Sequence, residues 1–289
     1  MTLPKFDYFA PTSIEEAVNL LNKKGETSRV VAGGTDLLIK MRHGLLKPRT
    51  LIGLKKIEAL NGISYNRQQG LIIGAMSLLS DVANHPVIRK NYPAVAYAAS
   101  NTANVQIRNM GTVAGNLCNA APSAENAPVL IAMDAQVTLV GPDGERSIPL
   151  DHFFKGPGLT VMSPDEIMTS IRVPTPPPKS GTSYQHISAR GKVDISAVGI
   201  GVLVTIDNNK CTRARIVMGA VAPVPMHATK AEKLLEGKKL TEKLMEQAGA
   251  LASKEAKPIS DVRASADYRK KMVTVLTKRA LAEARKRAT

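Results

Sequence analysis

Apolar residues recur at helical spacing through Ile14, Ala17, Val18, Leu20 and Leu21, and this face predicts a first helix. Ser13 and Glu16 form an S-x-x-E capping box at its start, and Gly25 marks its stop. Two β-branched runs follow, SRVVA leading into Gly33-Gly34 and TLIGL after Pro48, and each reads as a strand. A second unit opens with the strand GLIIGA. SLLSDVANHP and YPAVAYAASNTA then read as helices broken by Pro86 and Pro93. SAENAPVLIAMDA reads as an apolar helix, AQVTLVGPDGERSIPL as a hairpin turning at Pro142-Asp143-Gly144, and EIMTSIRVP as a further strand.

The run TPPPKSG, Thr175 to Gly181, is the clearest boundary signal, because three consecutive prolines continue neither a strand nor a helix. Beyond it, SYQHISA, SAVGIGVLVTID and KCTRARIVMGAVA read as strands, with Asn208-Asn209 turning between the last two. Helical segments begin near Thr229, Thr241 and Ala266. The expected class is α+β, ending in a three-stranded antiparallel sheet with helices packed on it. The boundaries expected are 1–58, 59–176 and 177–289. No repeat of solenoid length and no low-complexity tract interrupts them.

At 289 residues, 44% hydrophobic and 22% charged, the chain can bury a sizeable core. No apolar stretch is long enough to span a bilayer. The opening MTLPKFDYFAPTS lacks the basic-then-apolar pattern of a signal peptide, so the expected setting is cytoplasmic, without membrane insertion. Cys118 and Cys211 match no metal or redox spacing, and two thiols are too few for a cysteine-held iron–sulfur cluster within this chain. His43, His85, His152, His186 and His227 are scattered, so no metal site is assigned. Cys118, beside a glycine-rich stretch, reads as a small buried hydrophobe rather than a nucleophile.

The net charge of +15 attracts anions, and nucleic acid is one class to weigh. Much of the excess lies in DYRKKMVTVLTKRALAEARKR, at helical spacing among apolar residues, which reads as a solvated helix face or a docking face for an acidic partner. Six Tyr, four Phe and no Trp leave few stacking platforms for bases, so nucleic acid is not expected.

Two stretches carry the chemistry: RVVAGGTDLLIK, Arg29 to Lys40, and NMGTVAGNLCNA, Asn109 to Ala120. A diphosphate needs donors and close backbone approach. Glycine permits that approach, successive N–H groups can cradle an anion, and the hydroxyls of Thr35 and Thr112 add donors. Neither stretch has the G-x-G-x-x-G order or the Lys-Ser/Thr ending of a P-loop. Either alone also reads as a plain tight turn. Asp36 reads as a helix N-cap or turn-stabilising carboxylate, and Asn116 as an amide that locks its own loop or reaches a ligand.

The segments VVAGGTDLLIKMRHGLLKPRTLIGLKKI, IRNMGTVAGNLCNAAPSAENAPVLIAMDAQVTL and DEIMTSIRVP resemble the flavin-binding medium subunit of molybdenum hydroxylases, the xanthine dehydrogenase and aerobic carbon monoxide dehydrogenase family. The resemblance covers nearly the whole chain, including PISDVRASADYRKKMV. It implies the two-subdomain FAD-binding fold of the vanillyl-alcohol oxidase type, followed by a carbon monoxide dehydrogenase flavoprotein-type domain. On this pattern Ala32, Gly33, Gly34, Thr35 and Asp36 form a first diphosphate loop, and Gly111, Thr112, Gly115 and Asn116 a second. Glu125 takes the place of a family Asp near the adenosine part. Ile167 supplies backbone contacts to the ring system, and Ile195 lies near the isoalloxazine, where some relatives carry Tyr; both also read as plain strand core. His186 or Gln185 falls where relatives often have Lys. Two departures stand out. Ala114 replaces a family glycine, tolerable at negative φ, and Glu125 is one methylene longer than Asp.

The function implied is an electron-transfer subunit carrying FAD, with no catalytic residue assigned. A large partner would hold the molybdenum cofactor and a small partner two [2Fe–2S] clusters. Electrons would leave for an external acceptor such as NAD(P), a quinone or ferredoxin. The alternatives are a stand-alone FAD-dependent oxidoreductase on the same fold, a basic nucleic-acid-binding module, and a scaffold that has lost its flavin.

Overall fold

The computed structural model describes residues 3–191 and 194–288. It opens with β1 (Asp7–Phe9), α1 (Ile14–Lys24), β2 (Ser28–Val31), α2 (Leu37–Arg42) and β3 (Thr50–Gly53). The strands form a small parallel sheet in the order β1-β3-β2. Helix α1 buries Ala17, Val18 and Leu21. Ser13 Oγ accepts from the Glu16 N–H at 3.1 Å, but the Glu16 carboxylate returns to the Thr12 N–H at 2.8 Å, one residue earlier than a reciprocal capping box requires. Strand β1 carries no sequence signal, since three residues are too few to show a period.

The second layer contains β4 (Ile63–Asn66), β5 (Gly70–Gly74), α3 (Leu79–Asn84), α4 (Pro86–Asn91), α5 (Pro93–Asn101), α6 (Val105–Arg108), α7 (Val113–Cys118) and α8 (Asn126–Ala132). It continues through β6 (Gln136–Gly141), β7 (Gly144–Pro149), the short pair β8 (Phe154–Gly156) and β9 (Leu159–Thr160), and β10 (Ile167–Val173). Five of these strands form an antiparallel sheet, β4-β5-β10-β6-β7. Pro86 and Pro93 each open a new helix at its first turn, where the missing N–H costs nothing.

The last layer is β11 (Ser180–Ser188), β12 (Ser196–Asp207), β13 (Lys210–Gly219), β14 (Met226–His227), α9 (Thr229–Leu235), α10 (Glu242–Glu255) and α11 (Ala266–Ala288). Asn208 and Asn209, at φ +47° and +61°, turn β12 into β13 as a two-residue hairpin requires. The sheet has four strands rather than the expected three. The extra one, β14, is two residues long and pairs only with Val217 and Met218.

Strand β12 is buried on both faces. Val198, Ile200, Val202 and Val204 pack under α11, in one apolar cluster with residues of α10. The opposite face of the sheet meets α8 across bare backbone: a Cβ on Gly201 of β12 would lie 2.5 Å from the Pro128 carbonyl oxygen, and one on Gly219 of β13 2.7 Å from Pro128 Cγ. The Arg213 guanidinium on β13 also pairs with Asp134, just beyond α8. The C-terminal layer is thereby seated on the helix whose N-terminus is Glu125-Asn126. No helix of the described residues is long and apolar enough to cross a membrane.

Candidate functional site

The first glycine stretch connects β2 to α2. Gly34 sits at φ +72°, in the left-handed region that a glycine enters without strain. The N–H groups of Gly34, Thr35 and Asp36 have no hydrogen-bond acceptor among the described residues. Asp36 holds the N-cap position of α2, but its exposed carboxylate caps nothing, contrary to the capping or turn-stabilising role expected of it.

The second stretch is a helix start rather than an open loop. Thr112 is the N-cap of α7, and its Oγ1 accepts from the Gly115 N–H at 2.9 Å. That N–H is already satisfied, while the Thr112 hydroxyl proton remains free to donate. Leu79 N–H donates to the Gly111 carbonyl at 2.9 Å and ties the segment to α3. Ala114 lies in the first turn of α7, outside the positive-φ region, so its methyl is accommodated.

The two stretches meet. A Cβ on Gly33 would overlap the carbonyl oxygen of Met110, and one on Gly111 would stand 3.4 Å from Thr35 Oγ1. Lys40 Nζ donates to Asn119 Oδ1 at 2.6 Å and fastens α2 to the end of α7. Between these elements, β10 and the C-terminal layer runs a cleft of about 1410 Å³. All twelve sequence-derived positions line it: Ala32, Gly33, Gly34, Thr35 and Asp36; Gly111, Thr112, Gly115 and Asn116; Glu125, Ile167 and Ile195. Ile167 is buried at the start of β10, and Ile195 is 43% exposed.

Behind the second stretch, Asn126 Nδ2 donates to Asn116 Oδ1 at 3.0 Å and to Thr102 Oγ1 at 3.1 Å. Asn116 is thus held by its carbonyl, leaving its NH₂ to donate. The Glu125 carboxyl is buried and accepts from Ser196 Oγ at 3.2 Å. Burial pushes it up to about 7, against the opposing pull of its own backbone and of Ser196. Ser196 Oγ also lies 3.4 Å from His186 Nδ1, and burial pushes that imidazole down. His186 stacks on Tyr184 at 5.8 Å between centroids. This corner is therefore polar but disposed to neutrality. The alternation of β11 decides between two neighbours the sequence leaves equivalent: His186 faces Ser196, whereas Gln185 Nε2 donates to Glu283 on α11.

Cys118 also lines the cleft, with Sγ 3.7 Å from Met162 Sδ, and burial pushes its thiol up to about 12, far from a nucleophilic thiolate. Sequence reading misses Lys40, Thr102, Asn119, Met162 and Arg190 as cleft residues. Lys40 and Asn119 lie inside the two marked stretches without being singled out there, whereas Thr102, Met162 and Arg190 carry no local signal, because packing between distant elements brings them in.

Residues 4–176 match the family model described as the FAD binding domain in molybdopterin dehydrogenase, and residues 183–284 match the CO dehydrogenase flavoprotein C-terminal domain. The chain belongs to the molybdopterin dehydrogenase FAD-binding family. It is 34% identical over 283 residues to the carbon monoxide dehydrogenase medium chain of Hydrogenophaga pseudoflava, covering 97% of each chain. It is 33% identical to the nicotinate dehydrogenase FAD-subunit of Eubacterium barkeri, covering 93% of this chain and 92% of that one. The fold superposes with a TM-score of 0.96, at 34% identity and over 100% of both chains, on a chain of the H. pseudoflava carbon monoxide dehydrogenase solved without the Mo-pyranopterin moiety of its molybdenum cofactor. The α+β class and the two-part flavoprotein architecture expected of this family are both present. Members named for carbon monoxide and for nicotinate share this fold, so the fold does not fix a substrate.

Proposed function

We propose that the cleft holds FAD with its diphosphate between the two glycine stretches, and that the chain is the electron-relay subunit of a molybdenum-dependent dehydrogenase complex. The observation that carries this reading is the apposition of Gly33 to the Met110–Gly111 backbone, which brings both stretches to one side of one cleft. The residues fit the group. The free N–H groups of Gly34, Thr35 and Asp36, the Thr35 and Thr112 hydroxyls and the Asn116 NH₂ are donors, as an anionic diphosphate requires. When bound, FAD supplies a carrier that exchanges electrons singly or in pairs. The protein contributes position, electrostatics and exclusion of water, and no side chain is assigned as an acid or base.

The resemblance puts Glu125 beside the adenosine. Its hydrogen bond to Ser196, the neighbour of Ile195, supports a place at the Ile195 end instead. If Ile195 lines the isoalloxazine, Glu125 lines that end too.

In the same reading the chain divides at 1–58, 59–176 and 177–289 and works in the cytoplasm. A large subunit with the molybdenum cofactor oxidises the substrate, and a small subunit with [2Fe–2S] clusters passes electrons to this chain. The external acceptor is of the NAD(P), quinone or ferredoxin class. The test is a visible absorption spectrum of the purified chain with identification of the released flavin, followed by co-purification. A yellow chain releasing FAD and pulling down two further subunits supports the reading. A chain that neither purifies with FAD nor takes it up contradicts it.

A further inference from the structure

The C-terminal domain reaches the cleft at a second place, the turn Asp261–Ala264. Val262 is fully exposed and Arg263 is exposed, and both line the cleft. The turn is rigidly built. Asp261 Oδ1 accepts from the N–H groups of Arg263 at 2.9 Å and Ala264 at 3.3 Å. The same oxygen accepts from Arg269 Nη2 at 2.7 Å. Arg269 is 3% exposed, and its Nη1 donates to the carbonyls of Ala197 at 2.8 Å and Ala220 at 2.9 Å, at the ends of β12 and β13. Arg263's N–H, with Arg269 and Ala264, holds the Asp261 carboxyl down to about 2, so the clamp stays ionised at any working pH.

A guanidinium is costly to bury unless its partners satisfy it. Here one carboxylate and two strand-end carbonyls take its two terminal nitrogens, while Nε is buried without a partner among the described residues, and the result is a surface turn fixed against the start of β12. Ile195 lies two residues before Ala197. Two exposed apolar side chains, Ile195 and Val262, therefore line one cleft from segments tied together through Arg269. Next to Val262 is Arg263, whose guanidinium donates to Asp261 Oδ2 through Nη1 at 3.0 Å and has further N–H groups to offer.

We propose that the Asp261–Ala264 turn is a wall of the flavin site, with Val262 packing on the isoalloxazine ring beside Ile195 and Arg263 donating to the ring's polar edge. Arg269 is its positioning residue, acting through Asp261. This rests on the reading of the cleft as the FAD site. A planar ring with apolar faces and carbonyl oxygens along one edge matches an apolar side chain set next to a cation.

The experiment uses the full chain stripped of flavin and titrated separately with FAD and with ADP, comparing wild type with Val262→Asp and Arg263→Gln. Both positions are exposed, so neither change disturbs the core. Each variant is expected to weaken FAD binding at least tenfold, to shift the visible band of bound flavin, and to leave ADP affinity within twofold of wild type. Arg269→Lys keeps a charge but not the fork, and is expected to shift the flavin band as Arg263→Gln does. FAD affinity within twofold of wild type and an unshifted band in both surface variants overturn the inference and leave the cleft reading intact. An equal loss for ADP and FAD overturns it by moving the contact to the adenine end. A wild-type chain that binds no FAD overturns both.

Discussion

The backbone of Gly33 lies so close to that of Met110 that a single methyl group on Gly33 would occupy the place of the Met110 carbonyl oxygen. The obstacle is main chain, which cannot swing away as a side chain does. Gly33→Ala is therefore expected to separate the two stretches, lower stability by about 1–3 kcal/mol, and reduce flavin content. Thermal unfolding and the flavin-to-protein absorbance ratio measure this. A variant with the wild-type Tm and full flavin would show that the contact has no consequence.

At Gly34 the cause differs. Its φ of +72° disfavours any side chain, while an added Cβ would meet Leu38 Cδ1 at 3.1 Å. Gly34→Val is expected to cost at least about 1–2 kcal/mol from backbone strain and to lower flavin content, leaving the C-terminal domain folded. Hydrogen exchange resolved by segment checks that division, and protection should survive in β11–β13.

Thr112 tests the helix start. Thr112→Val removes the acceptor for the Gly115 N–H and is expected to cost about 1 kcal/mol, whereas Thr112→Ser keeps both the cap and the free donor. FAD affinity should fall in the first variant and hold in the second. Equal affinities in the two would remove the hydroxyl from the site.

Glu125 gives the flavin-free chain a pH signature. Its carboxyl titrates near 7 when folded, against an ordinary value of 4.5. Between these values the folded chain holds a proton that the unfolded chain has released, so this contribution makes stability fall as pH rises, levelling off above about 7. The full swing is of order 3 kcal/mol. Urea unfolding from pH 5 to 8 should show a wild-type decline that Glu125→Gln lacks. Parallel curves would place the carboxyl in an ordinary environment.

The seating of the C-terminal sheet bears on the site through α8. A side chain at Gly201 would press on the Pro128 carbonyl, and α8 begins next to Glu125 and the Asn126 that holds Asn116. Gly201→Ala is expected to lower stability by about 1–3 kcal/mol and to weaken FAD binding despite lying outside the cleft. Calorimetry with and without FAD separates the two effects, and loss of stability with unchanged affinity would uncouple the sheet from the site.

Much of this was legible in the chain itself. The α1 face, the hairpin at Asn208-Asn209 and the long strand β12 carry period, turn residues and length together. Strands β1, β4 and β14 and helix α6 are too short to show a period. The glycine stretches could be marked but not joined, since sequence spacing is silent on whether Gly33 meets Met110. Pattern alone also read Gly111–Asn116 as a loop, because Thr112 becomes a helix cap only through its bond to Gly115. Residues such as Met162 and Val262 reach the cleft through folding of distant segments, and their neighbours in sequence say nothing of it.

The most direct measurement is a crystal structure of the chain, alone or in its complex, loaded with FAD. Diphosphate oxygens within hydrogen-bond distance of residues 32–36 and of residues 111–116 at the same time are the expected result. FAD bound away from this cleft, or held by only one of the two stretches, would contradict it.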